Sequence, residues 1–259
     1  MKVILSIAGS DSGGCAGIQA DIKTAEAFGC FSTTCITVLT AQNTTGVKEI
    51  YPINTSFIKN QLEAIFEDYE VSAVKTGMLF DKEIIETVTS ILVDKNIPIV
   101  VDPVCISRSG DKLLKEDAIE AYEKLFALST IVTPNFYEAC YILNANQNDI
   151  KEMITGANKF VSKHDTALLI KQFPKTADNT IDTLFTDKYV EEFSSLTVDT
   201  KHNNGTGCSY STAIACGLSH GKSLSKSIAE AKNFIYNALL HSPALGHGNG
   251  AINHKQGIL

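Results

Sequence analysis

The sequence predicts a three-layer αβα domain built on a mostly parallel central sheet. Three observations predict it. Short β-branched runs alternate along the chain with amphipathic stretches of helical spacing. The runs "IPIVV" and "TALLI" are continuously apolar, as strands covered on both faces must be. Polar or glycine-rich segments recur directly after the strand-like runs ("AGSDSGG", "TAQNT", "KTGM", "DPV" and "TPNFYEA"), on the strand-end edge where open α/β sheets gather ligands.

The elements follow in order. "KVILSIA" (2–8) reads as a first, buried strand, and "GIQADIKTAEAF" (17–28) as a helix. "STTCITVLT" (32–40) is a strand, "TSFIKNQLEAIFEDY" (55–69) a helix and "SAVKTGM" (72–78) a strand. "DKEIIETVTSILVDK" (81–95) opens on an aspartate suited to accept from the first-turn amides of a helix. "IPIVVDPV" (97–104) is a strand, "KEDAIEAYEKLFAL" (115–128) a helix, and "STIVTPN" (129–135) a strand stopped by Pro134. Helical segments near 135–143 and 149–163, the strand "TALLIK" (166–171) and a polar hairpin-like region to 199 come next, followed by helices over 206–220 and 223–241. No linker or repeat interrupts the series, so residues 1–259 read as one domain.

Composition narrows the function. The 259 residues are 44% hydrophobic and 20% charged, with a net charge of −7. An acidic chain lacks the basic stripe that displaces counterions from nucleic acid. No apolar run reaches the roughly 18 residues of a membrane span. The N-terminal run is followed by glycines and Asp11 rather than a cleavage site, so it reads as a strand and not a signal peptide. The seven cysteines are scattered, without C-x-x-C, which suits reduced thiols in a cytoplasm. Cys208 apart, they read as small core residues.

Two nucleotide-motif imitations fail. "GLSHGKS" (217–223) has three residues between its glycines where a Walker loop needs four, and it lies at a helix C-terminus. "SGGCAG" (12–17) is one glycine short of G-x-G-x-x-G. "NNGTGCS" (203–209) is different: Gly205 and Gly207 free the backbone to aim successive N–H groups one way at the start of the helix "CSYSTAIACGL". Unpaired amides and the positive end of the helix dipole then suit an anion. A capped helix with a glycine entry is the plainer alternative. His247 and His254 flank "GNGAIN" without a third metal ligand in sequence, and read as loop histidines.

The blocks "AGSDSGGCAGIQADIKT", "VLTAQNTTGV", "KTGML", "VVDPV…SGDKLL", "TPNFYEA", "DTKHNNGTGCSYSTAIA" and "LGHGNGAINH" together, in order from residue 3 to about 254, resemble the hydroxymethylpyrimidine and phosphomethylpyrimidine kinases of the ribokinase-like fold. The resemblance implies 4-amino-5-hydroxymethyl-2-methylpyrimidine and then its monophosphate as substrates, with ATP and Mg2+, and a cytoplasmic homodimer that binds neither nucleic acid nor membrane. It places Gln42 at the pyrimidine-reading position. A glutamine amide presents an acceptor beside a donor, the complement of an exocyclic amine beside a ring nitrogen. Read alone, Gln42 is more readily a solvated loop residue, and core packing is the usual explanation for Met78 and Val104; the matching blocks lift them above it. Gly9, Ala16, Met78 and Val104 match ring-walling positions, and Asp21 falls on the substrate side. Asp102 and Glu138 match acidic residues near the magnesium ion, with Asn135 beside them. Lys171 matches a lysine facing the nucleotide phosphates, where a surface lysine is the alternative.

Gly205, Thr206, Gly207 and Cys208 then form the site of phosphoryl transfer. Thr206 also faces the nucleotide. Cys208 stands where many sugar kinases of this fold carry an aspartate base, and a helix N-terminus lowers a thiol's pKa toward that role. Phosphoryl transfer relies chiefly on positioning and charge stabilisation, so the amide cradle carries more weight than the thiol. The sequence departs from the family pattern at "KQFP" (171–174) in place of KGGH, at Asn204 in place of a histidine, at Cys15 in place of a glycine and at Ala251 in place of a proline. These departures gather around the nucleotide. They leave two other readings open: a pyridoxal or pyridoxine kinase of the same fold, whose substrate lacks the amine for Gln42, and a pyrimidine-binding protein with weak catalysis.

Overall fold

The computed structural model describes residues 1–104 and 118–257; the "SGDKLL" block and the start of the helix read at 115–128 lie outside them. The chain alternates as anticipated. Strand β1 (Val3–Asp11) leads to α1 (Gly17–Ala27), β2 (Phe31–Asn43), β3 (Gly46–Pro52), α2 (Thr55–Asp68) and β4 (Val71–Thr76). Then come α3 (Lys82–Leu92), β5 (Ile99–Val101), α4 (Ala118–Leu128), β6 (Ile131–Val132), α5 (Phe136–Ile142), α6 (Ile150–His164) and β7 (Ala167–Ile170). The series closes with the strands β8 (Asn179–Phe185) and β9 (Val190–Leu196) and the helices α7 (Thr206–Ser219) and α8 (Leu224–Leu240).

Among the described residues the strands form one nine-stranded sheet in the order β3-β2-β1-β4-β5-β6-β7-β8-β9. The run from β2 to β7 is parallel, while β3, β8 and β9 pair antiparallel at the two edges. Because strand side chains alternate between faces, single strands feed two cores. Leu5, Ile7, Val74, Val101, Val132 and Leu168 pack against α2 to α6. Ile4, Ala73, Val100, Ile131 and Leu169 pack against α1, α7 and α8. Helix α7 fits so closely under α8 that a Cβ at Gly217 would lie 2.6 Å from Ser227 Oγ. Beyond Thr206, the Ser, Thr and Ala residues of this helix are buried in the same packing.

One predicted boundary is corrected. The second strand does not end at residue 40 in a loop; it runs on through Gln42 and Asn43 and turns back as β3. Strand β3 is exposed along almost its whole length. It therefore lacks the apolar alternation by which a strand is read from sequence, and the hairpin went unseen. Gln42 thus sits on a paired strand end, held more firmly than a loop residue.

Candidate active site

The loop between β1 and α1 is built around Asp11. Its carboxylate accepts from the amides of Gly13, Cys15 and Ala16 at 2.8–2.9 Å, while its own amide donates to Gln19. This fixes the entry to α1, where Gly17 has a φ of +56° and a Cβ would lie 2.2 Å from the Gly9 carbonyl oxygen. Across the loop, Gln42 N–H donates to Ser12 Oγ, and that hydroxyl donates back to the Gln42 carbonyl. The Gln42 side-chain oxygen accepts from Thr40 at 3.2 Å. The hairpin tip is clasped from the other side by the tail: Gly248 and Asn249 amides donate to Thr44. Together these segments enclose a cavity of about 460 Å³ whose wall includes Gly9, Ala16, Gln42, Met78, Val104 and Asn249.

A second, adjacent cavity of about 690 Å³ lies between α5, β8, β9 and α8, with Leu196, Val198, Ile235, Tyr236 and Leu239 on its apolar side. Asn135, Lys171 and Gly207 line both cavities. The junction is assembled from three strand ends and one helix start. Asp102 follows β5, Asn135 follows β6 and caps α5, Lys171 follows β7, and Gly205 enters α7. Gly205 has a φ of +84°, and a Cβ there would meet the Cys15 carbonyl oxygen at 1.9 Å, so this turn is tied to the β1–α1 loop and demands glycine.

The first turn of α7 differs in detail from expectation. The amides of Gly207 and Cys208 donate to no acceptor among the described residues, and both residues line the first cavity. The Thr206 amide instead turns to the Asn203 carbonyl at 3.4 Å, and its hydroxyl donates there at 2.6 Å. Thr206 therefore closes the cap, and the outward-facing part of the cradle is Gly207–Cys208. Its backbone geometry suits an anion at a helix start.

Lys171 is buried, not a surface lysine, and donates to Asp102 Oδ1 at 2.9 Å. Burial opposes its charge, but Asp102 and Glu138 hold the ammonium above the ordinary lysine range. Glu138 is also buried and completes a capping box with Asn135, its Oε2 accepting from the Asn135 amide at 2.8 Å. Asp102 and Glu138 thus flank one cation where the two cavities meet.

Two predicted roles are corrected. Asp21 does not reach a cavity. It is fully buried, with Lys75 donating to both carboxylate oxygens at 2.8 Å and Ser6 and Thr212 completing its bonds; it ties α1 to β4 and α7. Cys208 lines the first cavity, but its thiol is not acidified. Burial pushes its pKa up to about 11, and Lys75 only partly offsets this. The helix terminus loses to desolvation here.

The departures from the family pattern are accommodated locally. Gln172 adopts a φ of +57°, and its amide donates to Asp182, which pairs with Lys232 beside the second cavity. Phe173 is buried against Phe136. Cys15 is buried and lines neither cavity. His254 is no surface ligand: its Nε2 lies 2.8 Å from Ser209 Oγ, and burial lowers its pKa to about 4. Among the described residues no group of three or more His, Cys, Asp or Glu side chains gathers as a metal site. Sequence reasoning passed over Asp11, Thr44, Asn249 and the Asp182–Lys232 pair. Only Asp11 carried a local sign, an aspartate at a strand end followed by glycines.

The family model for phosphomethylpyrimidine kinase matches residues 11–253. A hydroxymethylpyrimidine/phosphomethylpyrimidine kinase of Rhizobium meliloti is 37% identical over 97% of this chain and 96% of its own length. The thiamine biosynthesis bifunctional protein ThiED of Geobacter sulfurreducens is 39% identical over 97% of this chain, which spans only 52% of that longer protein. Among solved structures, the pyridoxal kinase of Bacillus subtilis in an ADP complex superposes with a TM-score of 0.89 at 31% identity, over 99% of this chain and 98% of its own.

Proposed function

Because this chain belongs to the phosphomethylpyrimidine kinase family, we propose that it transfers the γ-phosphoryl group of ATP to 4-amino-5-hydroxymethyl-2-methylpyrimidine, to its monophosphate, or to both, as a single ribokinase-like domain of thiamine biosynthesis. The observation that carries this reading is the meeting of two cavities at Asn135, Lys171 and Gly207. One is lined by the Gln42 amide and small residues, which suits an aminated ring. The other has the apolar wall and size for a nucleotide base and ribose. Between them lie a buried ammonium and two amides that donate to no acceptor among the described residues, donors of the kind that stabilise a phosphoryl group in flight.

Each residue then has a task. Gln42 reads the ring amine and its neighbouring nitrogen; Gly9, Ala16, Met78 and Val104 wall the ring. The Gly207 and Cys208 amides and Lys171 bear the transferring phosphoryl oxygens, and Asn135 lies beside them. The Cys208 thiol, protonated at neutral pH, lies against the reacting group without removing its proton. Asp102 and Glu138 fit Mg2+, which takes one or two carboxylates and otherwise uses phosphates and water. When bound, the ion neutralises charge on the nucleotide phosphates. No helix among the described residues is long and apolar enough to cross a membrane, and we place the protein in the cytoplasm. We also propose a homodimer, since edge strand β3 leaves Val47 51% and Tyr51 65% exposed.

Coupled ADP release, measured with the alcohol, its monophosphate and pyridoxal, tests the reading. Turnover with either pyrimidine above that with pyridoxal supports it. Turnover with pyridoxal alone favours the second reading, which the likeness to the Bacillus subtilis enzyme supports. Pyrimidine binding without ADP release would leave a binding protein.

A further inference from the structure

Helix α8 lays Lys232, Ile235, Tyr236 and Leu239 along the second cavity at spacings of three and four residues, one face of a helix. The last three belong to the apolar wall. Lys232 stands about 10 Å from Leu239 along the axis. It is buried, and its ammonium donates to Asp182 Oδ2 at 2.7 Å. Asp182, on β8, is also buried, and its other oxygen accepts from the Gln172 amide at 2.9 Å, one residue beyond Lys171. Both members of the pair line the cavity. The charged end of this α8 face therefore lies toward the junction and the apolar end away from it.

The pair is not saturated. An ammonium carries three donors, and Lys232 uses one of them among the described residues. The Asp182 carboxylate offers about four acceptor positions and takes one bond at each oxygen. On the same wall, the Tyr210 hydroxyl is buried beside Asp182 and meets hydrogen-bond geometry with none of the described residues. A buried ion pair stabilises a fold weakly, and buried donors without acceptors destabilise it. A net-neutral pair that sets an ammonium donor beside a carboxylate acceptor complements a hydroxyl, which both accepts and donates. A phosphate there would meet the carboxylate's like charge.

We propose that Asp182 and Lys232 read the ribose hydroxyls of the nucleotide and set a preference for a ribonucleotide donor. This rests on the reading of the second cavity as the nucleotide site. A nucleotide runs from base through ribose to phosphates. The cavity runs in the same order, from the apolar wall at Ile235, Tyr236 and Leu239, past the charged pair, to Lys171 and Gly207 at the junction. The ribose is the part that falls opposite the pair. Lys232 donates to a ribose oxygen, and a ribose hydroxyl donates to Asp182. Gln172 has a φ of +57° and its amide is held by Asp182, so the carboxylate that meets the sugar also fixes the turn after Lys171.

The test is equilibrium binding of ADP and of 2′,3′-dideoxy-ADP, which lacks both hydroxyls, to the full-length protein by calorimetry. The wild type should bind the dideoxy compound at least about tenfold more weakly, because hydrogen bonds to charged groups are the stronger ones. Asp182→Asn combined with Lys232→Met leaves an acceptor for the Gln172 amide and removes both charges together, so no unpaired charge stays buried. This double variant should bind the two nucleotides within about threefold of each other, with its affinity for the pyrimidine alcohol unchanged. General loosening of the fold would weaken both nucleotides and leave their ratio as it was. Wild-type crystals with ADP give a reading that needs no variant: a ribose hydroxyl within hydrogen-bond distance of Lys232 Nζ or Asp182 supports the assignment, and hydroxyls bonded elsewhere overturn it. Equal wild-type affinity for the two nucleotides also overturns it, as does a folded double variant that keeps the full preference. Binding of neither nucleotide by the wild type would instead overturn the kinase reading beneath it.

Discussion

Gly207→Ala isolates the claim that a phosphoryl group crosses the junction of the two cavities. A Cβ at this position would lie 3.3 Å from Lys171 Nζ and 3.7 Å from Asp102 Oδ2. Those are packing distances the folded chain tolerates with a small shift of the lysine. Alanine also outranks glycine as a helix former, by about 1 kcal/mol in helix interiors and less in a first turn. Melting should therefore stay within about 4 °C of the parent, since 1 kcal/mol moves Tm by only a few degrees at this chain length. Catalysis should not survive as well. The methyl projects toward Lys171 and Asp102, into the space the proposed transfer assigns to the reacting phosphorus. A displacement of about 1 Å there costs on the order of a hundredfold in rate, or about 2.7 kcal/mol. ADP release per mole of enzyme with saturating pyrimidine and ATP is the assay, with Tm measured on the same preparation. Unchanged kcat with unchanged Tm would refute the placement of the transfer path.

Three further outcomes follow from the same structure. Gln42→Ala should weaken pyrimidine substrates by about 1–3 kcal/mol, the cost of stranding a buried polar partner, read as a rise in KM; unchanged KM would remove Gln42 from the site. With the Cys208 pKa at about 11, about one thiol in ten thousand is ionised at pH 7. The phosphorylation rate of the alcohol should then be level from pH 6.5 to 8.5, and Cys208→Ala should lose less than about tenfold. A tenfold rise per pH unit that vanishes in Cys208→Ala would make the thiolate the base. His254, held neutral to about pH 4, binds fewer protons folded than unfolded between pH 6.5 and 4. Stability should fall through that window on acidification, by up to about 3 kcal/mol, in chemical denaturation; His254→Gln should remove most of that slope, and an unaltered slope would contradict the assignment.

Much of this was legible in the sequence, and for identifiable reasons. The apolar runs at 97–101 and 166–170 mark strands covered on both faces, and they lie in the sheet interior. Asp81 marks a helix start because its carboxylate accepts from Ile84 N–H. Strand β3 was not legible, because an edge strand facing solvent has no buried face to impose a pattern. Gly9, Ala16, Gln42, Met78 and Val104, drawn from four separate sequence blocks, line one cavity. Asp21 could not be placed from sequence: a carboxylate on α1 faces a site or a buried lysine depending on Lys75, 54 residues away. Cys208 failed for a related reason. A helix start acidifies a thiol, burial opposes it, and sequence shows the first influence but not the depth.

The account stands on the Gly207 and Cys208 amides receiving the phosphoryl group between two separately housed ligands. A crystal structure with ADP, an aluminium fluoride mimic of the phosphoryl group and the pyrimidine alcohol measures this directly. The account predicts fluoride within hydrogen-bond distance of both amides and of Lys171 Nζ, the nucleotide against Leu196 and Leu239, and the ring amine on Gln42. A mimic bound elsewhere, with those two amides bonded to protein atoms, would contradict it.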